Sequence, residues 1–219
     1  MEQDSPVTVA GTAPDDARAR ALPGSLFIPS LGTCRIGASR ARFGQGQDVT
    51  RTTLFLGGAR SGKSRLAQQT AEACAGPLAY LATAEGRDGE MEDRIARHRA
   101  DRGERWRTVE CPLALPAAIA SVETGAVLVD CLTLWLSNLM LGEHDIAGAT
   151  DDLLGAIAGS PLPIVIVTNE VGMGIVPDHP LGRTFRDAAG RLNQAVAGQV
   201  DASYFVAAGL VLPLQRFPG

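Results

Sequence analysis

The chain has 219 residues, 20 of them Lys or Arg against 24 Asp or Glu, for a formal net charge of −4, and 45% are hydrophobic. That length supports one substantial core or two small domains at most, and the apolar share excludes a wholly disordered chain. The mildly acidic balance argues against a general nucleic-acid binder, and no apolar run approaches the roughly 18 residues that a membrane-spanning helix needs.

Residues 1–50 carry five acids and five arginines among Gly, Pro, Ala and Ser, with only LFIP at 26–29 able to pack. No period of 2 or 3.6 is sustained there, so this stretch reads as a largely disordered extension, and MEQDSPVTVAG has neither the basic start nor the apolar stretch of a secretory signal. From Thr52 strands and helices alternate. TTLFL (52–56) is an apolar strand ending in glycines; SRLAQQTAEACA (64–75) has helical spacing; PLAYLAT (77–83) is a second strand. An arginine-rich helix is expected over about 90–102. AVLVD (126–130) and PIVIVTNE (163–170) are β-branched runs that end in acidic or polar groups, as strands of a parallel sheet covered on both faces do. TFRDAAGRLNQAVAGQV (184–200) sets Phe185, Ala189, Leu192 and Val196 on one helical stripe, and SYFVAAGLVLPLQ (203–215) reads as a strand pair around Gly209. The pattern predicts one α/β domain with three layers over residues 51–219. Cys34, Cys74, Cys111 and Cys131 stand apart, with no CxxC pair, and read as reduced thiols in a cytoplasmic protein.

The strongest local signal is GGARSGKS, which fits G-x-x-x-x-G-K-[ST] through Gly57, Gly62, Lys63 and Ser64 between a strand and a helix. Glycines let the backbone fold so that successive N–H groups face phosphate oxygens, and the helix N-terminus adds its positive end. Lys63 should reach the β- and γ-phosphates and Ser64 should coordinate Mg²⁺. Lys63 is the single lysine beside 19 arginines, so a compact ammonium stands where a planar fork would fit poorly. Asp130, closing AVLVD, is either a second metal ligand or an N-cap for CLTLWLSNLM, with the metal role favoured. Glu170 is a weaker candidate for a metal or substrate contact.

The segment 90–110 holds Arg94, Arg97, Arg99, Arg102, Arg105 and Arg107. On a helix, Met91, Ile95, His98 and Arg102 share a stripe, with Arg94 at its edge. Such a histidine either packs or acts as a nucleophile toward phosphorus, with the arginines neutralising the phosphates. His144 and His179 read as ordinary surface residues, and Trp106 and Trp135 as core anchors.

Together, GGARSGKS, YLAT, RIARHRADRGERWRTVE, LVDCLT, VTNEVGMGIVP and GRTFRDAAGRLNQAVA, in that order over about residues 53–214, resemble the bifunctional adenosylcobinamide kinase / adenosylcobinamide-phosphate guanylyltransferase family of cobalamin biosynthesis. The resemblance implies a RecA-like P-loop sheet, a homo-oligomer and two reactions. ATP or GTP phosphorylates adenosylcobinamide; GTP then guanylylates a histidine, and the GMP passes to adenosylcobinamide phosphate. It implies catalytic roles for His98 and Lys63, and Mg²⁺ at Ser64 and Asp130. Nucleotide contacts are implied at Gly57, Gly58, Ala59, Arg60, Ser61, Gly62, Lys63 and Ser64, at Ala82, Thr83 and Ala84, at Arg99, Ala100, Asp101 and Arg102, and at Glu110 and Asp130. Where the family commonly has Ser after the second strand this chain has Ala84, which keeps a backbone contact but not a hydroxyl one. The competing readings are a P-loop kinase of another small alcohol and a non-enzymatic nucleotide switch.

Overall fold

The computed structural model describes residues 51–85 and 103–216. The expected extension at 1–50 and the arginine-rich helix, with His98, Arg99, Ala100, Asp101 and Arg102, lie outside the described residues.

Among the described residues, one sheet contains β1 (Thr52–Gly57), β2 (Leu78–Ala82), β3 (Trp106–Glu110), β4 (Ala126–Asp130), β5 (Ile164–Asn169), β6 (Ala202–Ala207) and β7 (Leu210–Leu214). Their spatial order is β3-β2-β4-β5-β1-β6-β7, parallel throughout except for β7, which folds back on β6. The helices are α1 (Lys63–Glu72), α2 (Leu115–Ala120), α3 (Leu132–Leu141), α4 (Ile146–Gly159) and α5 (Pro180–Gln199). This is the expected three-layer, mostly parallel α/β arrangement.

Alternation along the buried strands decides which layer each side chain serves. Leu54, Leu56, Val127, Val129, Ile164 and Ile166 face the core shared with α2, α3, α4 and α5, where Leu115, Trp135, Leu153 and Leu192 pack. Phe55, Leu128, Val165 and Val167 face the other way, onto Ala67 and Ala71 of α1. Each fully buried aliphatic or aromatic side chain contributes about 1.5–3 kcal/mol, so strands apolar on both faces hold the centre of the sheet. Trp135 is the core anchor expected of it, fully buried with its indole N–H donating to the Leu113 carbonyl at 2.9 Å. Trp106 sits at the edge of the smaller core, its ring meeting Tyr80 edge-on.

The boundaries differ from expectation in informative places. α5 begins four residues earlier, at Pro180, because His179 caps it: Nδ1 accepts the Gly182 N–H at 3.0 Å. Its stripe is as predicted, with Ala189, Leu192 and Val196 buried and Phe185 packed at the rim of the core. α1 stops at Glu72, and Arg105 closes it by donating to the carbonyls of Glu72, Cys74 and Gly76. Arg105 thus lies just before β3, at the opposite end of the parallel sheet from the glycine loop, and Arg107 is an exposed residue of β3. Of the cysteines, Cys74, Cys111 and Cys131 are free thiols.

Candidate phosphate-binding site

All candidate residues that the structure describes lie along the C-terminal edge of the parallel strands, where α/β sheets place their ligands. β1 delivers Gly57 there. A Cβ on Gly57 would lie 2.3 Å from the Val206 carbonyl oxygen, so only glycine lets β1 and β6 approach as they do. The chain then turns through exposed Gly58, Ala59 and Arg60, the last at φ 57°, and enters α1 through Gly62 at φ 96°. That positive φ is glycine's own region, which is why a glycine precedes Lys63. No side chain caps α1 at Gly62, so the helix presents its positive end to the concavity of the loop.

Lys63 is buried, and its ammonium reaches back over its own loop to donate to the Gly58 carbonyl at 3.1 Å. A mobile ammonium held there can exchange a neutral carbonyl for an anionic oxygen. Ser64 is half-buried in the first helical turn. Ser61 carries the one buried side-chain oxygen among the described residues that has no hydrogen-bond partner. The Ser61 carbonyl accepts the Gly209 N–H at 2.8 Å, so the turn of the β6–β7 hairpin buttresses the loop from behind. Nothing in the local sequence signals that support.

Asp130 is the last residue of β4, not a helix cap: α3 is capped at Cys131, and the Asp130 carboxylate accepts the Tyr80 hydroxyl at 3.1 Å. With β5 between β4 and β1, Asp130 stands two strands, or about 10 Å, from the loop strand. Among the described residues no three His, Cys, Asp or Glu side chains cluster as a metal site. Ser64 and Asp130 offer a hydroxyl and a carboxylate, hard oxygen donors of the kind that Mg²⁺ takes. Glu170 follows β5 and fills the gap between these two strands, its N–H donating to the Gly57 carbonyl at 3.1 Å.

Ala82 and Thr83 are buried and Ala84 is half-buried. The Thr83 hydroxyl is committed to Cys131, donating to its carbonyl at 2.7 Å and accepting its N–H at 2.8 Å. Asn138 holds the Thr83 carbonyl at 2.8 Å. The turn after β2 is thereby locked to the residue that follows Asp130. Burial pushes the Cys131 thiol up to about 11, with the Asp130 charge adding to it, and burial alone does the same for Cys111. Glu110 ends β3, paired in register with Ala82, about 19 Å and four strands from β1. The structure brings the glycine loop, Lys63, Ser64, Glu170 and Asp130 to one stretch of the edge and sets Glu110 at its far end.

The sequence model of the family described as cobinamide kinase / cobinamide phosphate guanyltransferase matches residues 53–214. A protein named bifunctional adenosylcobalamin biosynthesis protein CobP, from Pseudomonas aeruginosa, is 48% identical over 169 residues, covering 75% of this chain and 98% of its own length. One named bifunctional adenosylcobalamin biosynthesis protein CobU, from Salmonella typhimurium, is 41% identical over 177 residues, covering 72% and 96%. A solved structure of a prototypical ATPase from the type III secretion system of pathogenic bacteria aligns at a TM-score of 0.45 and 13% identity, over 75% of this chain and 57% of that one.

Proposed function

The chain belongs to the cobinamide kinase / cobinamide phosphate guanyltransferase family, and from that premise we infer that it is a bifunctional transferase of adenosylcobalamin biosynthesis. It phosphorylates the aminopropanol hydroxyl of adenosylcobinamide with ATP or GTP. It then moves GMP from GTP to adenosylcobinamide phosphate, giving adenosylcobinamide-GDP and pyrophosphate. The observation that carries this reading is the family match over residues 53–214, which includes the formed loop Gly57–Ser64 between β1 and α1.

In the kinase step the loop N–H groups and the α1 terminus bind the triphosphate, and Lys63 neutralises charge on its outer phosphates. Ser64 and Asp130 would hold Mg²⁺, which when bound screens the phosphate oxygens. In the transfer step His98 attacks the α-phosphorus of GTP and pyrophosphate leaves. Arg99 to Arg102, Ala82 to Ala84 and Glu110 complete the nucleotide contacts. A histidine phosphoramidate keeps the energy of the broken anhydride while one large substrate replaces another.

Intact mass spectrometry tests this directly: incubation with GTP and Mg²⁺ adds one acid-labile GMP to the wild type and none to His98→Ala. Labelling of the variant would overturn the nucleophile assignment. Lys63→Ala should lose cobinamide phosphorylation, and normal turnover by that variant would remove Lys63 from the mechanism. Assembly into a homo-oligomer belongs to the same reading and is supported by β7, an edge strand among the described residues, where Leu210, Leu212 and Leu214 are exposed; light scattering measures it. No helix among the described residues is long and apolar enough to cross a membrane, and the reading places the enzyme in the cytoplasm with its small-molecule substrates.

A further inference from the structure

The loop between β5 and α5 is apolar, outward-facing and built into position. Between Val171 and Pro177 it has no charged residue. Met173, Ile175 and Val176 are 78%, 97% and 58% exposed, and Leu181 in the first turn of α5 is 53% exposed. Polar groups meanwhile hold its backbone at both ends. Glu170 accepts the Gly172 N–H with its carboxylate and donates its own N–H to Gly57. Arg183 donates to the carbonyls of Pro177 and Asp178 at 3.0 and 2.7 Å, and His179 caps the helix that follows. An isoleucine almost wholly in water contributes nothing to folding, and a cluster in sequence of exposed apolar side chains on a shaped backbone points to a binding role.

Its place in the fold narrows the occupant. The Asn193 side chain donates to the Asn169 carbonyl at the end of β5, at 3.1 Å. The 13 residues of α5 that precede Asn193 therefore carry the helix about 20 Å beyond the strand end. The loop starts at the same C-terminal edge of the sheet as the phosphate cradle and leaves from a residue bonded to it. A nucleotide's triphosphate needs cations, and this loop has none. The acceptor substrate must set a hydroxyl against the outer phosphate while the rest of a large ring system lies alongside. A corrin offers methyl-covered ring faces fringed by amides, and exposed Met, Ile and Val side chains suit those faces.

We propose that the 171–177 loop, with Leu181, is the docking face for the corrin ring of the acceptor in both half-reactions. The proposal rests on cobinamide being the substrate. The test measures cobinamide binding to the full chain by equilibrium dialysis, read from corrin absorbance, beside GMP loading from GTP and mass by light scattering. Met173→Ser/Ile175→Ser is expected to bind cobinamide at least tenfold more weakly, with GMP loading and assembly mass as in the wild type. Ile175→Leu should bind as the wild type does. Equal cobinamide affinity in the double variant overturns the docking face, as does a drop in assembly mass that accompanies the lost affinity, which would make the loop a contact with a second copy. A wild-type chain that loads GMP but binds no cobinamide overturns the substrate assignment and the docking face together.

Discussion

Replacing Thr168 with Val tests how the cradle edge is held rigid. Four polar groups from β5, α3 and α5 close a ring in one direction. The Asn169 N–H donates to the Thr133 hydroxyl at 2.7 Å, and that hydroxyl faces Thr168 at 3.3 Å. The Thr168 hydroxyl donates to the Asn193 carbonyl oxygen at 2.7 Å, and the Asn193 amide returns to the Asn169 carbonyl at 3.1 Å. Thr168, Asn193 and Thr133 are all buried. Thr168→Val keeps the shape but leaves the Thr133 hydroxyl without an acceptor and the Asn193 oxygen without a donor. At about 1–3 kcal/mol for each of the two buried groups left unpaired, the loss is about 2–6 kcal/mol. With a urea slope of about 2 kcal/mol/M, the unfolding midpoint should fall by about 1–3 M. Adding Asn193→Leu removes the stranded amide, so the pair should cost about 1–2 kcal/mol less than the sum of the singles. A midpoint within about 0.3 M of the wild type, or strict additivity of the pair, would refute the ring as a cooperative element.

Three further outcomes follow from the geometry. Gly57→Ala forces a Cβ to 2.3 Å from the Val206 carbonyl, whereas nothing lies within 4 Å of one on Gly58; the first should lose about 2 kcal/mol of stability and nucleotide binding, and Gly58→Ala should keep the fold, as urea titration and fluorescent-nucleotide binding will read. Cys111 and Cys131, each with its thiol pushed up to about 11 from 9.0, hold about a hundredfold less thiolate at pH 7.5 than in the unfolded chain. Native iodoacetamide labelling of both, followed by peptide mass spectrometry, should be far slower than in urea, and equal rates would contradict their burial. Asp201 is held below its usual range by the N–H and hydroxyl of Thr52, so its folded form favours the carboxylate. That contribution is present above the unfolded carboxyl value near 3.9 and fades as pH falls through the lower folded value. The midpoint gap between wild type and Asp201→Ala should therefore shrink below about pH 4, and a constant gap would show that the charge is irrelevant.

The loop Gly57–Ser64, the flanking strand and helix, and the acidic end of β4 were legible because each is local: a motif, an apolar run, a terminal residue. β3 was not, since WRTVE is an edge strand of alternating half-exposed residues that continues the arginine-rich run, and no apolar stretch marks it. The start of α5 carried a signal that went unused, a Pro at the first helical position behind a residue able to cap. Arg105 looked like part of a phosphate-facing cluster because spacing alone cannot show that the chain turns before it. The grip of Thr83 on Cys131 and the ring through Thr168 and Asn193 join residues 48 and 25 positions apart, beyond any periodicity.

The neighbours of β1 have a consequence for how the enzyme is made. β1 lies between β5 and β6, so its hydrogen-bonding edges wait for partners such as Asp201, 149 residues downstream of Thr52. The Ser61 carbonyl waits for Gly209. A ribosome thus releases the glycine loop early, on a strand apolar on both faces, and the binding site acquires its shape only when the β6–β7 hairpin arrives. Long loop closures of this kind are slow and leave sticky strands waiting. Nucleotide should therefore find no competent cradle on a nascent chain, and binding can begin only once the last hairpin has docked.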